Sequence, residues 1–376
     1  MRLTVRALFS VWSLVFVFVA CLTAAPLFAQ EQTAIEGSAQ DVYYKARVSV
    51  VVESDVFIQK VRVTILDGDE KGNVVEAENN LTSSVQSQQK LNVDDSVVVV
   101  KTNRPNGITY AVVEHYRITQ LIIILALFIV LVLVLGRGMG FMSLLGLAFS
   151  IGVLGVYIIP NIFSGHDPLM TSVTGALMII VVSLYLAHGF NRRTSIALLS
   201  SLLTLCVAVL CAVLFVSFTK LLGMGSESTL FIQLNQAQSI DLRGLLLGGI
   251  IIGTLGVLDD VTMGQTAAVY EIHKANSALD VSELYIRGLS VGKEHIASLV
   301  NTLALAYAGV SLPLFLLFSM NVSQPFWVIL NGQEIAEEIV RTLVGSIALI
   351  LAVPISTFLA AVFLSRASDQ KHVKFH

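Results

Sequence analysis

The sequence predicts an all-α polytopic membrane bundle of about seven transmembrane helices, carrying an N-terminal extracytoplasmic module resembling a small β-barrel. Long apolar runs recur between Ile118 and Leu364, each enough for a helix of roughly 20 residues to cross about 30 Å of hydrocarbon. The composition agrees, with 55% hydrophobic and 13% charged residues. Residues 30–116 differ in kind, being rich in acidic residues, β-branched runs and turn chemistry.

Residues 1–29 read as an export signal. Arg2 and Arg6 make the basic start, Ala7 to Ala24 the apolar stretch, and Pro26-Leu27-Phe28-Ala29 a cleavage region. A cleaved signal and an uncleaved anchor helix are both open, and both place residue 30 outside. The exported segment has no cysteine and so no disulfide framework. Cys206 and Cys211 lie in one apolar run and read as small core hydrophobes.

In residues 30–116 the runs Ala46–Glu53, Ile58–Leu66, Val97–Lys101 and Ile108–Val113 read as strands. Turn residues join them at Asp67–Gly72, Asn92–Asp95 and Arg104–Gly107. About five short strands of this kind predict a small, partly open barrel. Its reading is a stabilising cap on the membrane domain or a module that binds a ligand or a partner.

The spans are expected at 118–136, 139–160, 168–187, 194–219, 244–270, 296–319 and 338–364, filling a membrane domain of residues 117–366 before a tail, 367–376. Lys and Arg mark cytoplasmic joints. Alternate joints carry Arg137; Arg192 and Arg193; Lys274, Arg287 and Lys293; then Arg366, Lys371 and Lys374. That bias sets the module outside and the C-terminus inside, in a cell (inner or plasma) membrane. Pro313 and Pro354 predict kinks. Asp280 to Leu289 predicts a short interfacial helix, and Leu221 to Asp241 a stretch lying on the surface.

The fifth span carries most of the chemistry. At 100° per residue, Gly249, Gly253, Gly256, Asp260, Gly264 and Glu271 share an arc of about 80°. The glycines predict close helix packing, and Asp260 is expected to face into the bundle beside them. A carboxylate in hydrocarbon is costly, so Asp259 and Asp260 are candidates for ion coupling. If the helix stops near Leu258, both reach the headgroups instead. Gln265, His188, His295 and Asn301 fall at a similar depth, and Asp259, Asp260, His295 and Asn301 are expected to meet. Glu337, Glu338 and Arg341 are spaced for pairs within one helix.

Enzyme motifs are lacking. There is no phosphate-binding GxxxxGK[ST] and no HExxH. Neighbouring carboxylates on one helix diverge, so Asp259 and Asp260 cannot form a protease dyad within one chain. The expectation is a non-enzyme without cofactor or metal. A net charge of −3 and the want of a basic cluster argue against nucleic acid.

The segments Gly253-Thr-Leu-Gly-Val-Leu-Asp-Asp-Val-Thr-Met-Gly-Gln-Thr-Ala-Ala-Val-Tyr-Glu-Ile272 and Glu294-His-Ile-Ala-Ser-Leu-Val-Asn-Thr-Leu-Ala-Leu-Ala-Tyr-Ala-Gly309 resemble signature stretches of the bacterial YibE/F-like family of multitransmembrane proteins. So do His188–Thr194 and Glu338–Gly345. The resemblance implies a permease-like membrane protein and assigns no substrate or site residue. The expected function is therefore a permease for an unknown small solute or ion, coupled to protons or cations. The alternative is a non-transporting envelope scaffold that recruits a partner. Expected partners are the lipid bilayer and a homo- or hetero-oligomeric membrane protein.

Overall fold

A computed structural model describes residues 41–54, 58–80, 90–104, 107–235, 240–320 and 325–372. The export signal and the last residues of the tail lie outside them. The chain divides after Leu131 into two compact units, a small β unit and a larger helical one.

The β unit has five strands: β1 (Val42–Ser54), β2 (Ile58–Ile65), β3 (Val74–Asn80), β4 (Ser96–Arg104) and β5 (Gly107–His115). They close into a barrel in the order β1-β2-β3-β5-β4, so the expected partly open barrel is corrected to a closed one. Every pair is antiparallel except β3 with β5. β1 closes it by serving two neighbours. Val42–Arg47 pair with β4, Ala46–Ser54 pair with β2, and two register shifts, at Val48/Val50 and Val51/Glu53, bend the part paired with β2. Alternate residues Ala46, Val48, Val61, Val63, Val97 and Val99 fill the interior. Each buried valine contributes about 1.5–3 kcal/mol.

β3 is the strand that the apolar pattern missed. Only Ala77 and Asn79 of Val-Val-Glu-Ala-Glu-Asn-Asn point fully inward, so no apolar alternation marks it. Inside, Gln59 replaces an apolar residue at 2% exposure. Its amide donates to the Leu91 carbonyl (2.9 Å) and accepts from the Leu91 N–H (2.9 Å) and from Asn79 Nδ2 (3.3 Å).

α1 (Ile118–Gly152) spans that division, and the chain runs on through a π-helical turn, Val153–Ile158, into α2 (Ile159–Phe163). The joint expected at Arg137, between the first two spans, is a backbone break with φ 48° and ψ −128°. A Cβ on Gly140 would lie 2.3 Å from the Val132 carbonyl oxygen. A straight helix would separate those residues by about 12 Å, so the chain doubles back here. There follow α3 (Pro168–His188), α4 (Arg192–Phe218), α5 (Glu227–Asn235), α6 (Leu242–Ala275), α7 (Val281–Val310), α8 (Leu312–Met320), α9 (Phe326–Leu330) and α10 (Gln333–His372).

Among the described residues five helical runs are long and apolar enough to cross a membrane: Ile118–Phe163, α3, α4, α6 and Gln333–Ser365 of α10. They fit a multi-pass membrane protein. The expected sixth span breaks at Ser311, between α7 and α8, where Pro313 can start a new helix without losing a bond. Pro354 stays inside the continuous α10. The expected interfacial helix at 280–289 is the first part of α7 itself.

α6 is the centre of the unit and packs against α3, α4, α7 and α10. Its buried stripe includes Ile250, Ile251, Leu255, Leu258 and Val261. Three glycines set the approach distances. A Cβ on Gly248 would meet Ser172 Oγ at 2.3 Å, on Gly288 Val269 Cγ2 at 2.7 Å, and on Gly292 Val353 Cγ1 at 2.3 Å. Gly288-Leu-Ser-Val-Gly292 is thus a small-xxx-small seam on α7.

Candidate functional site

α6 runs unbroken through Asp259 and Asp260 to Ala275, so the pair is not a helix end. Asp259 turns towards α3, and its Oδ2 accepts a hydrogen bond from the Ser183 hydroxyl (3.1 Å). Its other oxygen, Oδ1, is buried and has no hydrogen-bond partner. Next to it Ser201 of α4 and Thr262 pair at 2.6 Å, and the Thr262 hydroxyl also reaches back to the Leu258 carbonyl (3.1 Å). This hydroxyl pair ties α4 to α6 one turn beyond the carboxylate.

Both acids line a cavity of about 370 Å³ between the later part of α1, α3 and α6. Ser143, Ser150, Ser183 and His188 bring further polar groups to it, and Leu154, Ile179, Ile252 and Leu255 supply apolar wall. The site therefore combines a half-buried carboxylate, an exposed one, a histidine at a helix end and several hydroxyls. Such a set can hold and pass a proton or coordinate a small cation.

Several of the expected residues lie elsewhere than within the bundle. Gly249, Gly253, Gly256, Asp260, Gly264 and Glu271 do share one face of α6, but that face is exposed rather than inward. A Cβ on Gly249, Gly256 or Gly264 would meet nothing within 4 Å, and on Gly253 only the Tyr307 hydroxyl at 3.7 Å. These four glycines are not the packing surface within the chain. Asp259, about 100° round the helix, is the shielded acid instead. Glu271 sits away from the cavity and pairs with Lys274 at 3.7 Å on the surface.

Gln265 is a strut. It is 1% exposed, and its Nε2 donates to the Gly288 carbonyl (2.8 Å) and to Thr357 Oγ1 (2.7 Å), joining α6 to α7 and α10. His295 and Asn301 are exposed on α7 and do not line the cavity. α7 packs by Leu284, Gly288, Gly292 and Leu303, and Asn301 lies across the helix from that line. The residues missed by sequence reasoning are the serines, Ser183 above all. Its signal was a lone hydroxyl in the apolar run Ile179-Ile-Val-Val-Ser-Leu184.

The ends of α3 and α4 are fixed locally. Gly189 takes φ 74°, Asn191 Oδ1 caps α4 by accepting from the Thr194 N–H (2.9 Å), and Tyr185 stacks on Phe190. Arg193 lies 5.9 Å over the Tyr270 ring, linking the start of α4 to the last part of α6.

The YibE/F-like protein family matches residues 124–366, most of the chain. The chain belongs to that family. The match takes in the helical unit almost whole, so the YibE/F-like part contains the acidic cavity, Ser183 and the α7 glycine seam. No curated protein and no solved structure matches this YibE/F-like chain.

Proposed function

We propose that this YibE/F-like protein is a permease that moves a small solute or ion, coupled to protons or cations through Asp259. The observation that carries the reading is the buried Oδ1 of Asp259, unpartnered in the wall of a cavity within apolar helices. An unpaired carboxylate in such a place is costly, and a bound proton or cation relieves that cost. Ser183 holds the other oxygen, which fixes the carboxylate in the cavity wall.

In this reading seven spans cross a cell (inner or plasma) membrane. The backbone break at Arg137 supports counting Ile118–Phe163 as two crossings, and the run 296–319 across the Ser311 break makes another. An odd number of crossings, with Lys and Arg at alternate joints, sets the barrel outside after an export signal and the C-terminus in the cytoplasm. The chain is then a transporter and not an enzyme.

The test is proton flux in vesicles holding the purified protein and an internal pH dye. Asp259→Asn is expected to lower flux by on the order of tenfold or more while the protein stays folded. Equal flux in both proteins would falsify coupling through this residue.

A second reading, a scaffold that recruits a partner protein through the barrel, is favoured by apolar side chains on the barrel's outside. Tyr43, Val50, Val52, Ile108 and Val113 are all exposed. It predicts that deleting residues 30–116 abolishes activity in cells while Asp259→Asn is tolerated.

A further inference from the structure

A second cavity lies towards the other end of α6, beside Leu245 and Leu246. It measures about 650 Å³, within the range of small-molecule sites. Gly225, Ser226 and Thr229 form one wall, the α7–α8 break at Ser311 another, and Glu337 and Arg341 of α10 a third. Glu338 on the same wall is neutralised by Arg341, whose Nη1 holds its Oε1.

Glu337 has no such neutralisation. It is 6% exposed, and its Oε1 accepts from the Gly225 N–H (3.1 Å) and from Gln333 Nε2 (3.0 Å), both neutral donors. Among the described residues no Lys, Arg or His makes an ion pair with it. Its Oε2 accepts no hydrogen bond and lies against Gly225, where an added Cβ would meet it at 2.7 Å, in the wall of the cavity that both residues line. A carboxylate buried to this degree without a cation needs one from elsewhere.

The neighbouring space says what that cation carries. A smaller cavity of about 210 Å³ shares Ser311 and Glu338 with the first and is walled by Tyr307, Phe315, Ile335 and Leu343. Its two aromatic rings and aliphatic side chains suit an apolar substituent. A bare metal ion fits poorly. Among the described residues no three His, Cys, Asp or Glu converge as a metal site, and the larger cavity far exceeds one ion's volume.

We infer that this paired cavity is a binding site for an organic ammonium group on an apolar stem, with Glu337 as its counter-charge. The site stands apart from coupling at Asp259 and is read by binding alone.

The test uses the full chain in bilayer discs of phosphatidylglycerol, with tritiated benzylamine as probe. Saturable binding is expected, displaced by neither benzyl alcohol nor excess potassium chloride. Glu337→Gln should weaken it by on the order of tenfold or more, with Glu337→Asp falling between. Thr229→Trp, which fills the cavity from another wall, should weaken it too and guards against misfolding of the Glu337 variant. Asp259→Asn should bind as the unaltered chain does. Displacement on adding phosphatidylethanolamine to the disc supports the ammonium site and names a lipid headgroup as its source. Overturning results are the lack of saturable binding, full binding by both Glu337→Gln and Thr229→Trp, or displacement by benzyl alcohol or potassium.

Discussion

The barrel and the helical unit treat buried polar groups in opposite ways. In the barrel each is answered from within. Gln59, Asn79 and the Leu91 backbone satisfy one another, Tyr44 donates to Asp69 (2.7 Å), and Tyr110 (2.8 Å) and Lys101 both bond Glu70. Every buried side-chain polar atom without a partner, among the described residues, lies in the helical unit: on Thr194, Asp259, Thr266, His273 and Arg341. Satisfied networks hold a fold in one state, whereas unanswered groups at a cavity wall await a ligand or a proton. Polar residues of the barrel thus serve its fold, and the coupling proposed above rests on the helices.

Replacing a polar group by an apolar one in each unit tests that contrast. Gln59→Leu strands the Leu91 N–H and Asn79 inside the barrel and should cost about 3 kcal/mol. Faster hydrogen exchange of β1 and β2 amides in the full chain reads this loss. Asp259→Leu should do the reverse, raising thermal stability in detergent by about 1–2 kcal/mol, because it removes a carboxylate whose Oδ1 is unanswered. A loss of stability there equal to that of Gln59→Leu would erase the distinction between the units.

The barrel's ionic cluster gives a pH signature. The Tyr44 phenol beside Asp69 holds that carboxyl below its ordinary value, and Lys101 and Tyr110 do the same to Glu70. Depressed carboxyls stabilise the fold above their unfolded values of about 4 and lose that contribution as pH falls through the lower folded ones. The hydrogen bond to Asp69 and burial push Tyr44 up to about 12. Its neutral form is thus favoured in the fold, a contribution complete below about pH 10 and lost as pH climbs through the raised value. Protection of barrel amides relative to intrinsic exchange at each pH should therefore fall below about pH 4 and again above about pH 10. Glu70→Gln should flatten much of the acid limb. The smallest effect is expected at Glu271, whose exposed pair with Lys274 should contribute under about 0.5 kcal/mol; Glu271→Gln should leave melting and flux unchanged.

Much of the layout was legible in the residues. β1, β2, β4 and β5 announced themselves by alternation and turn chemistry, and the break at Arg137 by a charged joint between two apolar runs. β3 stayed hidden because its inward positions are Ala77 and Asn79. Gly288 and Gly292 could have been found from their four-residue spacing, and Ser183 from its isolation among apolar neighbours. The arrangement of α7 could not, since where a helix leaves its neighbours depends on long-range packing.

Sequence by itself determined that apolar helices dominate, that a small strand-rich module precedes them, and that Gly249, Gly253, Gly256, Asp260 and Gly264 share one side of α6. Tertiary structure alone decided which side of α6 meets protein. For a soluble helix the apolar stripe reports that direction, but lipid tails are as apolar as a protein interior, so the periodic cue vanishes in a membrane span. Close approach at Gly248, Gly288 and Gly292 supplies the direction in its place, and it leaves Asp259 rather than Asp260 the more shielded acid.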